Sequence, residues 1–306
     1  MNELVSIIIP TYNRCADLDR CLSSIKASTY HNYEIIVVDN ASTDGTKAMI
    51  ATKYSDSVTY ILKHENTMAA GGRNTGIAQA IGEYCLFIDS DNIIDSQMIE
   101  HLVAKMQEDA SLGLIGPLML YHENPQIIWC IKCPISYQTG KSTFVGRGVS
   151  LSAFKLDEIY YTNNIPNLFL TRTALAKEVR GFDRIYEILF EESDFAAKIA
   201  QLGYDICIST KAITQHNVPL QIKSTNSLRR YGIDTPKRAW LLARNRFIFV
   251  HRFARRQQRT LFLIAIAPAY AMFYALLSLL SKSPSTAVAY IKGTFAGYTY
   301  IHGSHE

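Results

Sequence analysis

The sequence lacks the two glycine-rich signatures that commonly bind phosphate groups. It contains no Gly-x-x-x-x-Gly-Lys-Ser/Thr segment, and no Gly-x-Gly-x-x-Gly follows the first predicted strand. Both motifs hold phosphate with backbone amides, so their absence excludes a P-loop and a dinucleotide-binding turn. A nucleotide bound by this chain would therefore need a metal ion for much of its phosphate binding.

The chain also has few cysteines and a small net charge. The six cysteines form no disulfide framework, which suits a reducing cytoplasm, and the CxxC at Cys130 and Cys133 lacks the second pair of a zinc site. The net charge is only +4, although the segment from Lys223 to Arg259 holds eleven Lys or Arg and one acid, Asp234. Because the rest of the chain is net negative, the sequence does not predict a nucleic-acid partner.

The N-terminal half alternates predicted strands and helices. Short apolar runs predict strands at residues 5–9, 34–38, 58–62 and 84–88, with helices between them. The first run is too short for a signal peptide and ends at Pro10, so none is expected. The alternation predicts an α/β fold with a mostly parallel central sheet flanked by helices.

The following hundred residues show a weaker pattern. Strands are predicted at residues 114–120 and 127–130, a glycine-rich loop at 140–148, and a turn at 163–167. A helix is predicted from near Glu192 to Gly203, where glycine is a typical helix end. A short strand at residues 205–208 then leads towards His216.

The C-terminal part has a different composition. Residues 261–280 contain no charged side chain and are interrupted only by Pro268 and the polar Ser278. About 20 apolar residues are enough to cross a bilayer core. Basic residues precede this segment directly, which favours the cytoplasmic side of a membrane. The mixture of aromatic and arginine side chains at residues 240–253 is typical of an interfacial helix.

These features predict three parts of the chain. A catalytic domain is expected at residues 1–220, a basic amphipathic linker with an interfacial helix at 221–259, and apolar membrane-associated helices at 260–306. The apolar segment is compatible with spanning, re-entering or lying in a membrane. The alternative is a buried helix pair of a soluble protein.

Polar side chains follow three of the predicted strands. Thr11, Asn13 and Arg14 follow the first strand, Asp39 follows the second, and Asp89-Ser90-Asp91 follows the fourth. In a doubly wound sheet such turns meet at one crevice. An isolated Asp-x-Asp is often only a pair of loop acids, but carboxylates at this crevice are also suited to a divalent cation beside a phosphate chain. The arrangement therefore suits a nucleotide.

Four segments in order resemble the family 2 glycosyltransferases of the GT-A fold. They are residues 5–14, 37–46, 71–76 and 87–91, and the resemblance extends to about residue 217. It implies a nucleotide-sugar site formed by Thr11, Asn13, Arg14, Asp39, Arg73, Asp89 and Ser90. Within that site, Asp39 is expected to read the edge of the base.

The resemblance also implies a metal site and a catalytic base. Asp91 would bind Mg²⁺ or Mn²⁺ at the diphosphate with support from Asp89, and His216 matches a histidine that completes the metal site in many members. Without the resemblance, a lone histidine is more often structural. Glu192 is expected to be the catalytic base and Asp194 is the second candidate, although the family usually has Asp where Glu192 stands. Acids at a helix N-terminus also complement the helix dipole.

The expected activity follows from these residues. The Gln-x-x-Arg-Trp motif of the family's processive synthases is absent, which argues for one sugar added per event. Within the family, the chain resembles the rhamnosyltransferase-like non-processive members. The resemblance implies inverting, metal-dependent transfer of a sugar from a UDP- or dTDP-linked donor to a lipid-linked or polysaccharide acceptor. Such transfer is expected at the cytoplasmic face of the cell membrane, in cell-surface glycan synthesis.

Two other functions compete with this one. A nucleotidyltransferase that makes the sugar nucleotide would have a similar sheet, but such enzymes usually carry a glycine-rich basic segment near the N-terminus. Residues 11–17 have one arginine and no glycine. A non-catalytic membrane adaptor would be favoured by a damaged metal pair, yet the candidate acids and His216 are all present.

Overall fold

The computed structural model describes residues 3–220 and 227–303. It divides into two compact units. Unit 1 comprises Met1–Pro134, Thr143–Glu187 and Glu191–Pro219, and unit 2 comprises Ile135–Ser142, Ile188–Phe190 and Leu220–Glu306. Two short segments within the predicted domain at 1–220 therefore belong to unit 2. Residues 221–226 of the predicted linker lie outside the described residues.

Unit 1 is built on a ten-stranded sheet. Its strands are β1 (Val5–Thr11), β2 (Tyr33–Asp39), β3 (Thr59–Leu62), β4 (Tyr84–Ile88), β5 (Asn92–Ile94), β6 (Leu112–Tyr121), β7 (Asn124–Cys130), β10 (Ile159–Thr162), β11 (Leu168–Arg172) and β12 (Asp205–His216). The order across the sheet is β10-β12-β6-β11-β4-β1-β2-β3, while β5 pairs with β12 and β7 with β6. The short strands β8 (Ile135–Ser136) and β9 (Lys141–Ser142) pair separately in unit 2.

Helices flank the sheet of unit 1 and make up most of the described part of unit 2. Those of unit 1 are α1 (Cys15–Lys26), α2 (Thr46–Lys53), α3 (Met68–Gln79), α4 (Met98–Glu108), α5 (Thr173–Glu178) and α6 (Glu191–Gln201). Those of unit 2 are α7 (Ser227–Arg230), α8 (Pro236–Phe253), α9 (Arg256–Leu261), α10 (Ala267–Leu280) and α11 (Pro284–Gly303).

The predicted α/β fold is confirmed, with a mixed central sheet. Strands β1 to β4 are parallel to one another, as are β6 and β12, whereas β11 runs antiparallel between β4 and β6. Strand β1 continues through Pro10, whereas its pairing with β4 ends two residues earlier, at Ile8. The missing N–H of Pro10 therefore leaves no ladder hydrogen bond unmade.

A cluster of phenylalanines fills the core beneath the site. Phe87 of β4 contacts Phe169 of β11 and Phe182, with ring centroids 5.1 and 5.0 Å apart. Phe182 stacks on Phe195 of α6 at 4.5 Å. All four rings are buried, so burial of large apolar area fixes α6 against β4, the strand that precedes Asp89.

Several boundaries differ from those predicted, and strand β11 was not predicted. Helix α3 begins at Met68 rather than at the glycine pair, because the Asn66 side chain accepts a hydrogen bond from the Met68 amide at 2.8 Å. Strand β12 runs to His216 instead of ending at residue 208, with an irregularity between Ser209 and Ile213 that interrupts its alternating pattern. Strand β11 follows the predicted turn at residues 163–167.

Unit 2 is a packed helical unit in which α8 lies at the centre. Gly293 and Gly297 of α11 bring its backbone close to α8, because a Cβ at either position would overlap Trp240 or Phe247. The apolar residues of α8 are largely buried by such contacts. The sequence predicted α8 to be an interfacial helix, but in the structure its apolar side packs within unit 2.

The exposed apolar surface lies on the helix that follows. Among the described residues, one helix is long and apolar enough to cross a membrane by length and composition, Arg256–Leu280, and 17% of its most apolar stretch is buried. A π-helical segment, Phe262–Ile266, lies just before Pro268. Proline lacks an N–H and disfavours the preceding turn, which accounts for the widened segment there.

Candidate functional site

The carboxyl ends of β1 and β2 position the first nucleotide-binding candidates. Thr11 and Asp39 are register partners and both are buried. The Asp39 carboxylate accepts hydrogen bonds from the Tyr60 hydroxyl at 2.6 Å and from the Ser42 amide at 2.8 Å. Burial and the Asp39 carboxylate raise the pKa of Tyr60, so its hydroxyl remains a donor. These bonds fix the orientation of the Asp39 carboxylate.

The loop after β1 connects this region to the Asp-Ser-Asp segment. Asn13 has a φ of 50°, in the left-handed region that asparagine tolerates. Its amide donates to the Ser42 hydroxyl at 2.8 Å, and its side-chain oxygen accepts from the Thr43 amide at 2.8 Å. The next residue, Arg14, places Nη1 3.5 Å from Oδ2 of Asp91. The loop thus contacts the turn after β2 on one side and Asp91 on the other.

Arg73 of α3 joins the strand-end acids to the N-terminus of α6. Its Nη2 lies 2.7 Å from Asp89 and 2.9 Å from Glu192, and its Nη1 lies 3.6 Å from Glu191. The guanidinium is fully buried and also lies over the Phe182 ring, 5.1 Å from its centroid. One buried cation therefore orients three carboxylates, two of which were predicted site residues.

Asp91 lies beside His216, and these are two of the residues that the resemblance assigned to a metal site. Oδ1 of Asp91 is 3.4 Å from Nε2 of His216. Burial opposes ionisation of Asp91, but the neighbouring imidazole and Arg14 hold its pKa below the ordinary value. Ser90, between the two acids, is buried. The Asp89 carboxylate contacts Arg73 instead, so the predicted metal trio is a pair in this structure.

The sheet brings His216 to this place. His216 is the last residue of β12 and is paired with Asn92 of β5, one residue after Asp91. The next residue, Asn217, donates its backbone N–H to the Asp91 carbonyl at 2.8 Å. The Trp129 ring meets the imidazole edge to face, with centroids 4.6 Å apart. Strand pairing and this aromatic contact together fix the position of the ring.

The three acids at the start of α6 have different environments. Glu192 keeps 19% of its side chain exposed, whereas Glu191 and Asp194 are buried. Burial, and secondarily the charge of Glu192, raise the pKa of Glu191 well above its ordinary value. Asp194 accepts a hydrogen bond from Tyr186 at 3.1 Å and pairs with Lys198 at 2.5 Å. Of the two predicted bases, Glu192 is therefore the more accessible to an acceptor hydroxyl.

A reciprocal hydrogen-bond pair holds α3 in place. The Asn74 side chain donates to the Phe182 carbonyl at 2.7 Å and accepts from the Phe182 amide at 2.8 Å. Gly181 has a φ of +64°, and a Cβ there would lie 2.3 Å from the Asn74 oxygen. The glycine of the Gly-Phe-Asp segment is thus required for this close approach, which positions the neighbouring Arg73.

The donor atoms at Asp91 and His216 suit a divalent cation. Carboxylate oxygen and imidazole nitrogen are both ligands of Mn²⁺. Oδ1 of Asp91 is buried without a hydrogen-bond partner within residues 3–220 and 227–303, and it faces Nε2 of His216. Over the same residues, no group of three or more His, Cys, Asp or Glu side chains is arranged to hold a metal ion. The donor set therefore fits a cation that takes further ligands from elsewhere.

Some site residues had no sequence signal. Tyr60 is one aromatic residue in a short strand, and Trp129 lies in the least regular part of the chain. The interaction of Asn74 with Phe182 joins residues that are 108 positions apart. Among the predicted residues, the structure brings together Asp89, Arg73 and Glu192, but Asp194 is turned towards Lys198 and Tyr186.

The chain is similar to known glycosyltransferases in sequence and in fold. The family model described as Glycosyl transferase family 2 matches residues 6–150. The chain is 39% identical over 126 residues to glycosyltransferase GlyG of Streptococcus pneumoniae, and 31% identical over 201 residues to an uncharacterized glycosyltransferase of Haemophilus influenzae. These alignments cover 40% and 65% of this chain, and 42% and 62% of the relatives.

A further relative has a more specific name. It is the UDP-Glc:alpha-D-GlcNAc-diphosphoundecaprenol beta-1,3-glucosyltransferase WfgD of Escherichia coli, 34% identical over 122 residues, or 40% of this chain and 48% of that one. The chain thus spans less than two thirds of the length of each of these relatives.

Solved structures share the fold at low sequence identity. The mannosyltransferase PcManGT of Pyrobaculum calidifontis, solved with GDP-Man and Mn²⁺, aligns with a TM-score of 0.59 at 19% identity, covering 100% of this chain and 89% of that one. GalNAc-T7, solved with UDP, GalNAc and Mn²⁺, aligns with a TM-score of 0.61 at 16% identity, covering 89% and 58%. The fold is therefore that of GT-A glycosyltransferases, and residues 6–150 of this chain match the family model described as Glycosyl transferase family 2.

Proposed function

We propose that the chain is a metal-dependent, inverting glycosyltransferase that adds one sugar per event from a nucleotide-sugar donor. The observation that carries this proposal is the position of Arg73, which contacts Asp89 and Glu192 at 2.7 and 2.9 Å. Arg73 thus joins the acid that follows β4 to a partly exposed carboxylate of α6, which supports the proposal. Sugar transfer requires both a diphosphate site and a carboxylate near the acceptor.

Residues at the ends of the strands are proposed to bind the nucleotide-sugar donor. Asp39, oriented by Tyr60, is proposed to accept a hydrogen bond from the base of a UDP- or dTDP-linked sugar. Asp91 and His216 are proposed to hold Mg²⁺ or Mn²⁺. When bound, the cation would stabilise the negative charge that develops on the departing diphosphate.

Glu192 is proposed to accept the proton of the acceptor hydroxyl. Its side chain is partly exposed, and Arg73 fixes its direction. The hydroxyl oxygen then bonds to the anomeric carbon as the bond to the diphosphate breaks, and this direct displacement inverts the configuration. Asp194, the second predicted base, is fully buried beside Lys198.

The acceptor class is proposed from two observations. The printed name of the WfgD relative specifies a diphosphoundecaprenol-linked acceptor. This chain carries an exposed apolar helix, Arg256–Leu280, of a kind that suits a membrane surface. We therefore propose a lipid-linked or polysaccharide acceptor at the cytoplasmic face of the membrane. The absence of Gln-x-x-Arg-Trp supports non-processive transfer.

Donor and base can be tested separately. Full-length protein is screened by thermal shift against UDP-, dTDP- and GDP-sugars with Mn²⁺, and the true donor should raise the midpoint most. With that donor and a lipid-linked acceptor, Glu192→Gln should lower kcat by about 10²–10⁴-fold. The exposed acid Glu178 of α5 offers a matched control, Glu178→Gln, with unchanged turnover. Near-normal turnover of Glu192→Gln would refute the assignment of the base. Release of pyrophosphate from a nucleoside triphosphate would instead identify a nucleotidyltransferase.

A further inference from the structure

The C-terminal helices present a continuous apolar face that no described residue covers. On α10 and the segment before it, Ile264, Met272 and Leu280 are each more than 70% exposed. On α11, Phe295 and Val288 are more than half exposed. No charged residue occurs between positions 261 and 280. Contiguous exposed apolar surface of this kind marks an interaction site.

The helix packed against this pair constrains how it can meet a membrane. Phe247 of α8 contacts Phe262 with ring centroids 5.0 Å apart, and Arg246 lies 4.3 Å from the centroid of Tyr270. Nearer the start of α8, Ala243 belongs to one core cluster with Tyr274 and Leu277. Helix α8 therefore contacts the apolar helix between about residue 262 and residue 277, and α11 packs along α8 from Trp240 to Arg252.

That stretch corresponds to most of a membrane's thickness. Fifteen residues of helix rise roughly 22 Å, and a bilayer core is about 30 Å thick. If α10 crossed perpendicular to the membrane, α8 would be carried into the hydrocarbon beside it.

Helix α8 is not compatible with that position. It carries arginines at positions 238, 244, 246 and 252, spread over its whole length. An arginine at mid-depth disfavours insertion on the order of 100-fold on translocon scales. Arg246 is buried inside unit 2, where it donates to the Tyr290 hydroxyl at 2.9 Å and lies over Tyr270. It therefore cannot extend to the membrane surface without disrupting the packing.

We infer that unit 2 is a one-leaflet anchor, in which α10 and α11 lie along the surface of an anionic bilayer with their apolar face in the acyl chains. Basic side chains at the ends of this face, Arg255, Arg256 and Lys282, are exposed and suited to lipid phosphates. The 223–259 segment as a whole is strongly basic. The apolar helix therefore does not cross the membrane. This inference is independent of the sugar-transfer chemistry.

Topology is tested with two exposed labelling sites. Lys282 lies in the turn between α10 and α11, and Arg255 lies between α8 and α9. Sealed membrane vesicles from cells that express full-length Lys282→Cys or Arg255→Cys are treated with a membrane-impermeant maleimide. The unmodified protein gives the background, since five of its six cysteines are buried. A one-leaflet anchor predicts labelling of both sites from the same side, with rates within about threefold. If one site is protected until detergent is added, the helix spans and the inference is wrong.

Binding to lipid is tested with preformed vesicles. Purified full-length protein should co-float with vesicles that contain phosphatidylglycerol, and less with pure phosphatidylcholine. Met272→Glu should weaken this partition by about tenfold or more, since it places a charge in the apolar face. The control Gln107→Glu makes the same charge change at an exposed position of α4 and should bind normally.

Two outcomes would overturn the inference at this step. One is a soluble oligomer that does not bind vesicles, which would mean that a second copy of the chain covers the apolar face. The other is unchanged binding of Met272→Glu, which would mean that the face does not contact lipid. Sugar transfer to a soluble acceptor analogue by Met272→Glu should remain normal, so failure of the anchor and failure of the proposed chemistry are distinguishable.

Discussion

Replacing Arg73 by methionine should expose how much stability depends on one buried cation. Its side chain is fully buried, with carboxylate oxygens at 2.7, 2.9 and 3.6 Å. At an effective dielectric constant of about 20, each of the two closest contacts is worth roughly 6 kcal/mol before desolvation is subtracted. Burial of the guanidinium offsets much of this attraction. Removing one partner of a buried ion pair typically costs about 3–5 kcal/mol, because the remaining charges lose their counterion.

The sign of the pH dependence follows from the same contacts. Without Arg73, the carboxyls of Asp89, Glu191 and Glu192 repel one another, so their pKa values in the folded state exceed those in the unfolded state. The folded variant then holds more protons, and its stability falls as pH rises through this range. Arg73→Met should therefore lose more stability at pH 8 than at pH 5. Urea unfolding followed by circular dichroism at both values measures the difference.

The control for this experiment is a surface arginine. Arg20 is about half exposed and pairs with Asp17 on α1, so Arg20→Met should cost less than about 1 kcal/mol at either pH. A loss below about 1 kcal/mol for Arg73→Met, or a loss that does not change with pH, would refute the role given to the buried cation.

Three further substitutions test other contacts. Glu191→Gln should stabilise the protein increasingly as the pH rises, because burial raises the pKa of Glu191 and ionisation in the folded state is costly. Equal thermal midpoints of variant and wild type across pH 5 to 8 would contradict this. Gly76→Ala should destabilise by about 1–3 kcal/mol, because a Cβ there would lie 2.2 Å from Ile8; an unchanged urea midpoint would disprove the close approach. Tyr60→Phe should cost about 1.5–3 kcal/mol, because it removes a hydrogen bond to the buried Asp39 carboxylate. A smaller loss by the same assay would mean that water replaces the hydroxyl.

The sequence predicted the strand-end acids because parallel strands have a simple consequence. Each strand that ends in the same direction delivers its next residue to the same edge of the sheet. Asp39 stands at the end of β2, Asp89 and Asp91 follow β4, and residues 84–88 form β4 with the predicted bounds. The rule depends only on strand direction, so it required no knowledge of side-chain packing.

The partners of those acids were less accessible to sequence reasoning. Whether Asp89 faces a metal or Arg73 depends on the rotation of α3, which the Asn74–Phe182 hydrogen bonds determine. Strand β11 escaped prediction because its apolar core, residues 168–170, is too short to define a period. The irregularity after Ser209 similarly concealed the second half of β12.

The pairing of β12 with β5 bears on when the site forms during folding. Thr214 donates to the carbonyl of Ile93, 121 positions earlier in the chain, and His216 is paired two residues further on. Contacts between residues so far apart in sequence form late in folding, because the intervening chain must first lose conformational entropy. The Asp91–His216 pair is therefore a late product of folding. If this pair holds Mn²⁺ as proposed, recovery of Mn²⁺ affinity in refolding experiments should follow recovery of helical circular dichroism, and a chain that ends before β12 should never acquire it.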